Sequence, residues 1–222
     1  MPLDDRGDGS VDLSGIRRDY PSEGLEMADV ADDPFETFAG WFADHAETAG
    51  DDANAVILAT SDLTTCRPSA RTVLLRGVDA GRFVFYTNEE SRKGRELRSN
   101  AQATLLFSWV GISRQIVIEG PVETVSPAES DEYFASRPRA SQIGAWASDQ
   151  SRPIDTRVVL EAAVREIEER FAGGEVPRPS HWGGFALTPD RFEFWQGRPS
   201  RLHDRIEYRP DDHGWNRRRL AP

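Results

Sequence analysis

One cysteine, Cys66, and one lysine, Lys93, stand in a chain of 222 residues. A lone cysteine excludes an internal disulfide framework, which agrees with a reducing compartment and gives a cytoplasmic protein as the expectation. Its only basic neighbour is Arg67, so nothing nearby favours a thiolate and no nucleophilic role is expected. No apolar run comes near the roughly 20 residues of a membrane-spanning helix. The opening MPLDDRGDGS is acidic and polar, unlike a secretory signal or a transit peptide. His45, His181 and His213 are scattered and form no metal-ligand spacing. A glycine-rich dinucleotide turn, a P-loop and a nucleophile elbow are also missing. The net charge of −11 at pH 7 argues against a general nucleic-acid binder, because a phosphate backbone would be repelled. With lysine almost absent, arginine at any one place reflects composition as well as local need.

What is present is a succession of short strand patterns interrupted by helices. Residues 1–14, rich in Asp, Gly and Ser, read as a disordered tail, and 15–222 as a single domain. Phe35, Phe38, Trp41 and Phe42 recur at helical spacing and predict a helix over 33–49. Apolar runs at 55–60 and 70–76 predict strands, and RFVFYT at 82–87 follows across the turn VDAG as a hairpin. Further strands are expected at 104–110 and 115–125, with a bulge or sheet edge at Gly120-Pro121. Ser91 caps a short helix through Arg98, stopped by Asn100. The capping box Ser126-Pro127-Ala128-Glu129 predicts a helix over 127–136. Another helix spans 155–171 and ends at Gly173-Gly174. Strand patterns return at 184–187, 191–195, 202–208 and 215–220. Without regular strand–helix alternation, the pattern predicts a mainly β (α+β) antiparallel barrel with helices packed outside.

Several groups of residues carry possible chemistry. Tyr133 and Arg137 share a helix face, with Ser141 four residues on. Together they suit either a phosphate monoester or a solvated helix face. Strand alternation from Arg201 would align Arg201, His203 and Arg205, either over an anion or against acidic neighbours such as Glu193. Arg71 and Arg76 flank TVLL, and alternation sends them to opposite faces. Ser91-Arg92-Lys93 opens a helix with cations where the helix dipole disfavours them, a mismatch that a bound anion would relieve. Trp109, Trp146, Trp182 and Trp195 read first as core packing.

The stretches RTVLLR (71–76), FYTNEESRKG (85–94), SRQIVIEG (113–120), YFASRPRASQIGAWASDQS (133–151), HWGGF (181–185), EFWQG (193–197) and RLHDR (201–205), with the terminal RLAP, resemble pyridoxine (pyridoxamine) 5′-phosphate oxidase from about Ile16 to Pro222. The resemblance implies an FMN-binding split barrel of antiparallel Greek-key type, forming a homodimer with FMN between the subunits. It implies FMN contacts from Arg71, Thr72, Val73, Leu74, Leu75, Arg76, Tyr86 and Thr87, with Arg92 and Lys93 on the FMN phosphate. Gln115, Gln150, Ser151, Trp195 and Arg205 would complete the flavin site. Substrate phosphate would meet Tyr133, Arg137 and Ser141, and Arg76, standing where the family usually has lysine, would contact the substrate. Arg201 and His203 would be the catalytic pair over the substrate, with Leu202 beside them and Arg17 and Tyr20 in an N-terminal lid. The reaction implied is hydride transfer from C4′ of pyridoxamine or pyridoxine 5′-phosphate to flavin N5, with O2 reduced to H2O2 and pyridoxal 5′-phosphate released. Alternatives of the same fold are an oxidase of a phenazine precursor and a deazaflavin- or haem-binding protein. A further alternative is a non-catalytic pyridoxal phosphate carrier.

Overall fold

The computed structural model describes Tyr20 and residues 24–222; the expected tail and Arg17 lie outside the described residues. Helix α1 (Pro34–Ala49) starts where the Asp33 side chain accepts from the Phe35 N–H. Strands β1 (Ala55–Ser61), β2 (Pro68–Asp79) and β3 (Arg82–Asn88) follow, then helix α2 (Arg92–Ser99). Strands β4 (Gln102–Trp109) and β5 (Arg114–Thr124) precede helices α3 (Pro127–Ser136), α4 (Arg139–Ala147) and α5 (Arg157–Arg170). The chain ends in β6 (Trp182–Leu187), β7 (Arg191–Gln196), β8 (Asp204–Asp211) and β9 (Gly214–Leu220).

All strand pairs are antiparallel. The order β4-β1-β2-β3-β6-β5, closed by pairing of β5 with β4, makes a six-stranded barrel, and β7, β8 and β9 extend from β5. Closure removes edges that would otherwise be open to aggregation. Alternation decides what fills the barrel: Leu58, Phe85, Leu105, Phe107, Ile116 and Ile118 point inward and are fully buried. Helix α1 lies against this interior through Phe38, whose ring centroid is 5.0 Å from Phe83 and 5.2 Å from Phe107. A buried Phe contributes about 1.5–3 kcal/mol against about 0–1 for an exposed ion pair, so aromatic packing decides where α1 sits.

Gly120-Pro121 marks a change of partner within β5. Residues Arg114–Glu119 pair with β7, and Val122–Thr124 pair with β6. A Cβ on Gly120 would lie 2.0 Å from the Thr188 carbonyl oxygen, so this crossing requires glycine.

Two local expectations change. Helix α4 adds to the expected elements: it follows Pro138 with no side chain capping its start, so no local capping signal announces it. The strand expected from Leu202 begins at Asp204, after a 3₁₀ turn over Pro199–Arg201. Ser200 and Arg201 sit there at φ +58° and +62°, so period-two alternation does not reach Arg201. No described helix is long and apolar enough to cross a membrane.

Candidate active site

Strand β2 leaves β1 and joins β3 through a bulge. Leu75 pairs with Phe85 and Gly77 with Val84, leaving Arg76 as the extra residue. Simple alternation fails at that point, and Arg71 and Arg76 line the same cavity of about 470 Å³. The bulge thus corrects the expectation that these two arginines are kept apart. The cavity is walled by Arg71–Leu74 and Arg76 of β2, Tyr86 and Thr87 of β3, Lys93 of α2, Tyr133 and Arg137 of the α3 end, and Ser141 of α4. Gln150 closes it, together with Asn88, Ser148 and Trp182, which sequence reasoning did not place there. Trp182, in the HWGGF pattern, is buried in a core cluster with Phe134 and Ile143, as its core reading expects, and lines the cavity as well.

Contacts divide this lining into two groups. In the first, the Lys93 ammonium donates to Thr87 Oγ1 (3.2 Å), Ser91 Oγ (3.3 Å) and Gln150 Oε1 (2.7 Å), all neutral acceptors. Lys93 is 9% exposed and makes no ion pair among the described residues. Burial, and then the neighbouring Arg71, bring its pKa down to about 8. Helix α2 presents its first turn here, seated so closely that a Cβ on Gly94 would lie 2.2 Å from the Glu89 carbonyl oxygen. The Arg92 N–H donates to Ser151 Oγ at 3.1 Å, which places that pair beside Gln150 at the cavity margin.

The second group is built on stacked rings. Tyr86 stacks on Tyr133 at 4.1 Å and on Trp182 at 5.4 Å, while Arg76 lies over Tyr133 and Arg137 over Trp182 at 4.7 Å. Tyr133 and Arg137 do not meet Ser141 along one helix: Arg137 is extended (φ −73°, ψ 148°), and the chain turns into α4. The Arg137 NH1 nitrogen is buried with no hydrogen-bond partner among the described residues. Among those residues, only Arg71 of the four cavity cations faces a carboxylate, that of Glu96. Two sets of cations and hydroxyls in one concave site suit two anionic groups.

A different set of predicted residues gathers elsewhere. Gln115, Trp195 and Arg205 are cross-strand partners in one row over β5, β7 and β8. His203 lies 4.6 Å from Trp195, and Tyr20 packs edge-on against both. The Arg198 N–H donates to His203 Nδ1 at 3.0 Å, so a neutral ring carries its proton on Nε2. Arg205 holds Glu193 through two bonds of 2.8 and 3.0 Å, the acidic pairing weighed from sequence. Leu202 is exposed, and Leu75 turns its side chain into the core. None of the row, His203 or Tyr20 lines the cavity.

Comparison with known proteins agrees with this architecture. The family described as "Pyridoxamine 5′-phosphate oxidase" matches residues 42–171, and "Pyridoxine 5′-phosphate oxidase C-terminal dimerisation region" matches residues 182–222. The chain is 51% identical over 213 residues to a pyridoxine/pyridoxamine 5′-phosphate oxidase of Burkholderia multivorans, covering 95% of this chain and 99% of that protein. It is also 51% identical over 211 residues to pyridoxine/pyridoxamine 5′-phosphate oxidase 1 of Ralstonia nicotianae, with the same coverage. Among solved structures, PhzG of Burkholderia lata, bound to tetrahydrophenazine-1-carboxylic acid, superposes with a TM-score of 0.81 at 29% identity, covering 90% of this chain and 98% of that one. An FMN-binding protein of Nostoc punctiforme, related to pyridoxamine 5′-phosphate oxidase, shares the fold (TM-score 0.68, 15% identity, 87% and 100% covered).

Proposed function

The chain belongs to the pyridoxamine 5′-phosphate oxidase family, an FMN-dependent oxidoreductase with the family's split barrel, and from that premise we propose that it oxidises pyridoxamine and pyridoxine 5′-phosphates to pyridoxal 5′-phosphate as a homodimer. The observation that carries this reading is the cavity with two cationic ends, at Lys93 and at Arg137, neither of which makes an ion pair among the described residues. A flavin phosphate and a substrate phosphate account for both ends. The acid named with the PhzG structure carries a carboxylate and no phosphate.

The residues present fit FMN. A buried ammonium whose acceptors are neutral oxygens, at a helix N-terminus and beside Arg71, suits a phosphate group. Arg71, Arg92 and Lys93 would hold the FMN phosphate, and Thr72–Leu74, Tyr86, Thr87 and Gln150 would line the flavin. Leu75 and Arg76 would approach it through the bulged backbone, and Ser151 through its contact with Arg92. Bound FMN supplies the two-electron acceptor that O2 then reoxidises.

Tyr133, Arg137, Ser141 and Arg76 would bind substrate phosphate, orienting the ring and removing the entropy cost of encounter. Gln115, Trp195, Arg201, Leu202, His203 and Arg205 would act from the partner subunit, since the group containing them shares no residue with the cavity. Most of them fall within the matched dimerisation region, 182–222. There Arg201 would orient the C4′ substituent, His203 would offer an Nε2 proton donor, and Tyr20, which packs against His203 and Trp195, would cover the site. A cytoplasmic location fits the single exposed thiol.

The test is H2O2 release by FMN-loaded protein supplied with either B6 phosphate, with unphosphorylated pyridoxamine, or with tetrahydrophenazine-1-carboxylic acid. Removing the phosphate should cost about 100-fold or more in kcat/KM, since several charge-assisted bonds of about 1.5–3 kcal/mol are lost. A yellow protein that oxidises the phenazine acid and ignores both B6 phosphates overturns the proposal.

A further inference from the structure

Helix α2 carries four cations and one acid, and that acid is buried. Glu96 is 4% exposed and does not line the cavity. Its Oε2 accepts from Thr60 Oγ1 at 2.5 Å, Ser69 Oγ at 2.6 Å and Arg71 NH2 at 3.2 Å, and its Oε1 from Arg92 Nε at 2.8 Å. The donors come from β1, from β2 and from the first turn of α2. Arg71 is fixed further by the Leu58 carbonyl, Thr60 Oγ1 and Ser69 Oγ. Burial would raise the Glu96 pKa, but the bonds from Ser69, Thr60 and Arg92 hold it down at about 2.

A buried carboxylate is costly unless its lone pairs are filled, and here hydroxyls and guanidinium groups fill them. If stapling α2 to the barrel were its whole role, an apolar residue would serve at lower electrostatic cost. Both of its guanidinium partners belong to the phosphate-binding group proposed above. Arg71, Arg92 and Lys93 bring three positive charges, and Glu96 removes one. The two that remain match a phosphate monoester dianion.

We propose that Glu96 is a positioning residue of the FMN phosphate site, aiming Arg71 and Arg92 and setting the local charge to that of the dianion. This rests on the placement of the FMN phosphate at the start of α2. A glutamine here presents an N–H where one guanidinium now donates, so one of the two arginines loses its anchor.

The test is titration of the flavin-stripped full-length protein with FMN and with riboflavin, followed by quenching of flavin fluorescence. Glu96→Gln should weaken FMN about 10- to 100-fold, the worth of one to two charge-assisted bonds, and leave riboflavin unchanged. Ser69→Ala removes a single donor to the same oxygen and should move the FMN-to-riboflavin ratio in the same direction by less. It keeps the test open should Glu96→Gln not fold. Equal loss of both flavins, or FMN binding undiminished in Glu96→Gln, overturns the proposal. Lys93→Met separates the two levels. If it lowers FMN affinity selectively while Glu96→Gln does not, Glu96 alone has been misread. If it leaves the ratio untouched, the phosphate lies elsewhere and both readings fall.

Discussion

Lys93 should take up a proton when FMN binds. Its pKa is about 8 because burial and Arg71 disfavour the charged form, against an ordinary value of 10.5. A phosphate dianion within hydrogen-bond reach reverses that balance and returns the value toward its ordinary range. The apoprotein ammonium is then about half deprotonated at pH 8 and about nine-tenths at pH 9, so binding should take up about 0.5 and about 0.9 proton respectively. FMN contributes little of its own, since its second phosphate ionisation lies near about 6. The signs for affinity and for stability are opposite. FMN affinity should fall as pH rises above 8, approaching tenfold per unit. The folded value lies below the unfolded one, so the charged form penalises the apoprotein below pH 8. That penalty fades as pH rises from about 8 to 10.5, and apoprotein stability from this group rises with it. Titration calorimetry in buffers of different ionisation enthalpy measures the uptake directly. No uptake at pH 9, or the same uptake by Lys93→Met protein, would refute the reasoning.

Three further outcomes are expected. Arg137→Met should lower kcat/KM for pyridoxamine 5′-phosphate about 10- to 100-fold, with FMN content and turnover of unphosphorylated pyridoxamine unchanged in steady-state assays. Arg201→Ala should cut turnover far more than flavin content, and matched losses in rate and absorbance would rule out its orienting role. Gly94→Ala forces a Cβ onto the Glu89 carbonyl and should cost about 1–3 kcal/mol. A thermal melt that does not shift would show that the α2 start gives way freely.

Local rules were sufficient wherever the controlling partner is near in sequence. Ser126 accepts the Glu129 N–H, and α3 runs from Pro127 to Ser136 as its capping box requires. Val, Ile and Leu alternation placed the strands that close the barrel. The arginine-and-hydroxyl groups were visible as residue types, and the family motifs named the cofactor. What only the tertiary structure decided are contacts between distant segments. The bulge at Arg76 appears only when β2 has to join both β1 and β3. Tyr133, Arg137 and Ser141 meet through a break between two helices, where helical spacing would have kept them on one. Arg201 takes a left-handed conformation that its sequence does not announce, since non-glycine residues reach positive φ only when their surroundings impose it. Glu96 draws the hydroxyls of Thr60 and Ser69 from 36 and 27 residues away, a distance at which chain folding, and no local propensity, brings the groups together.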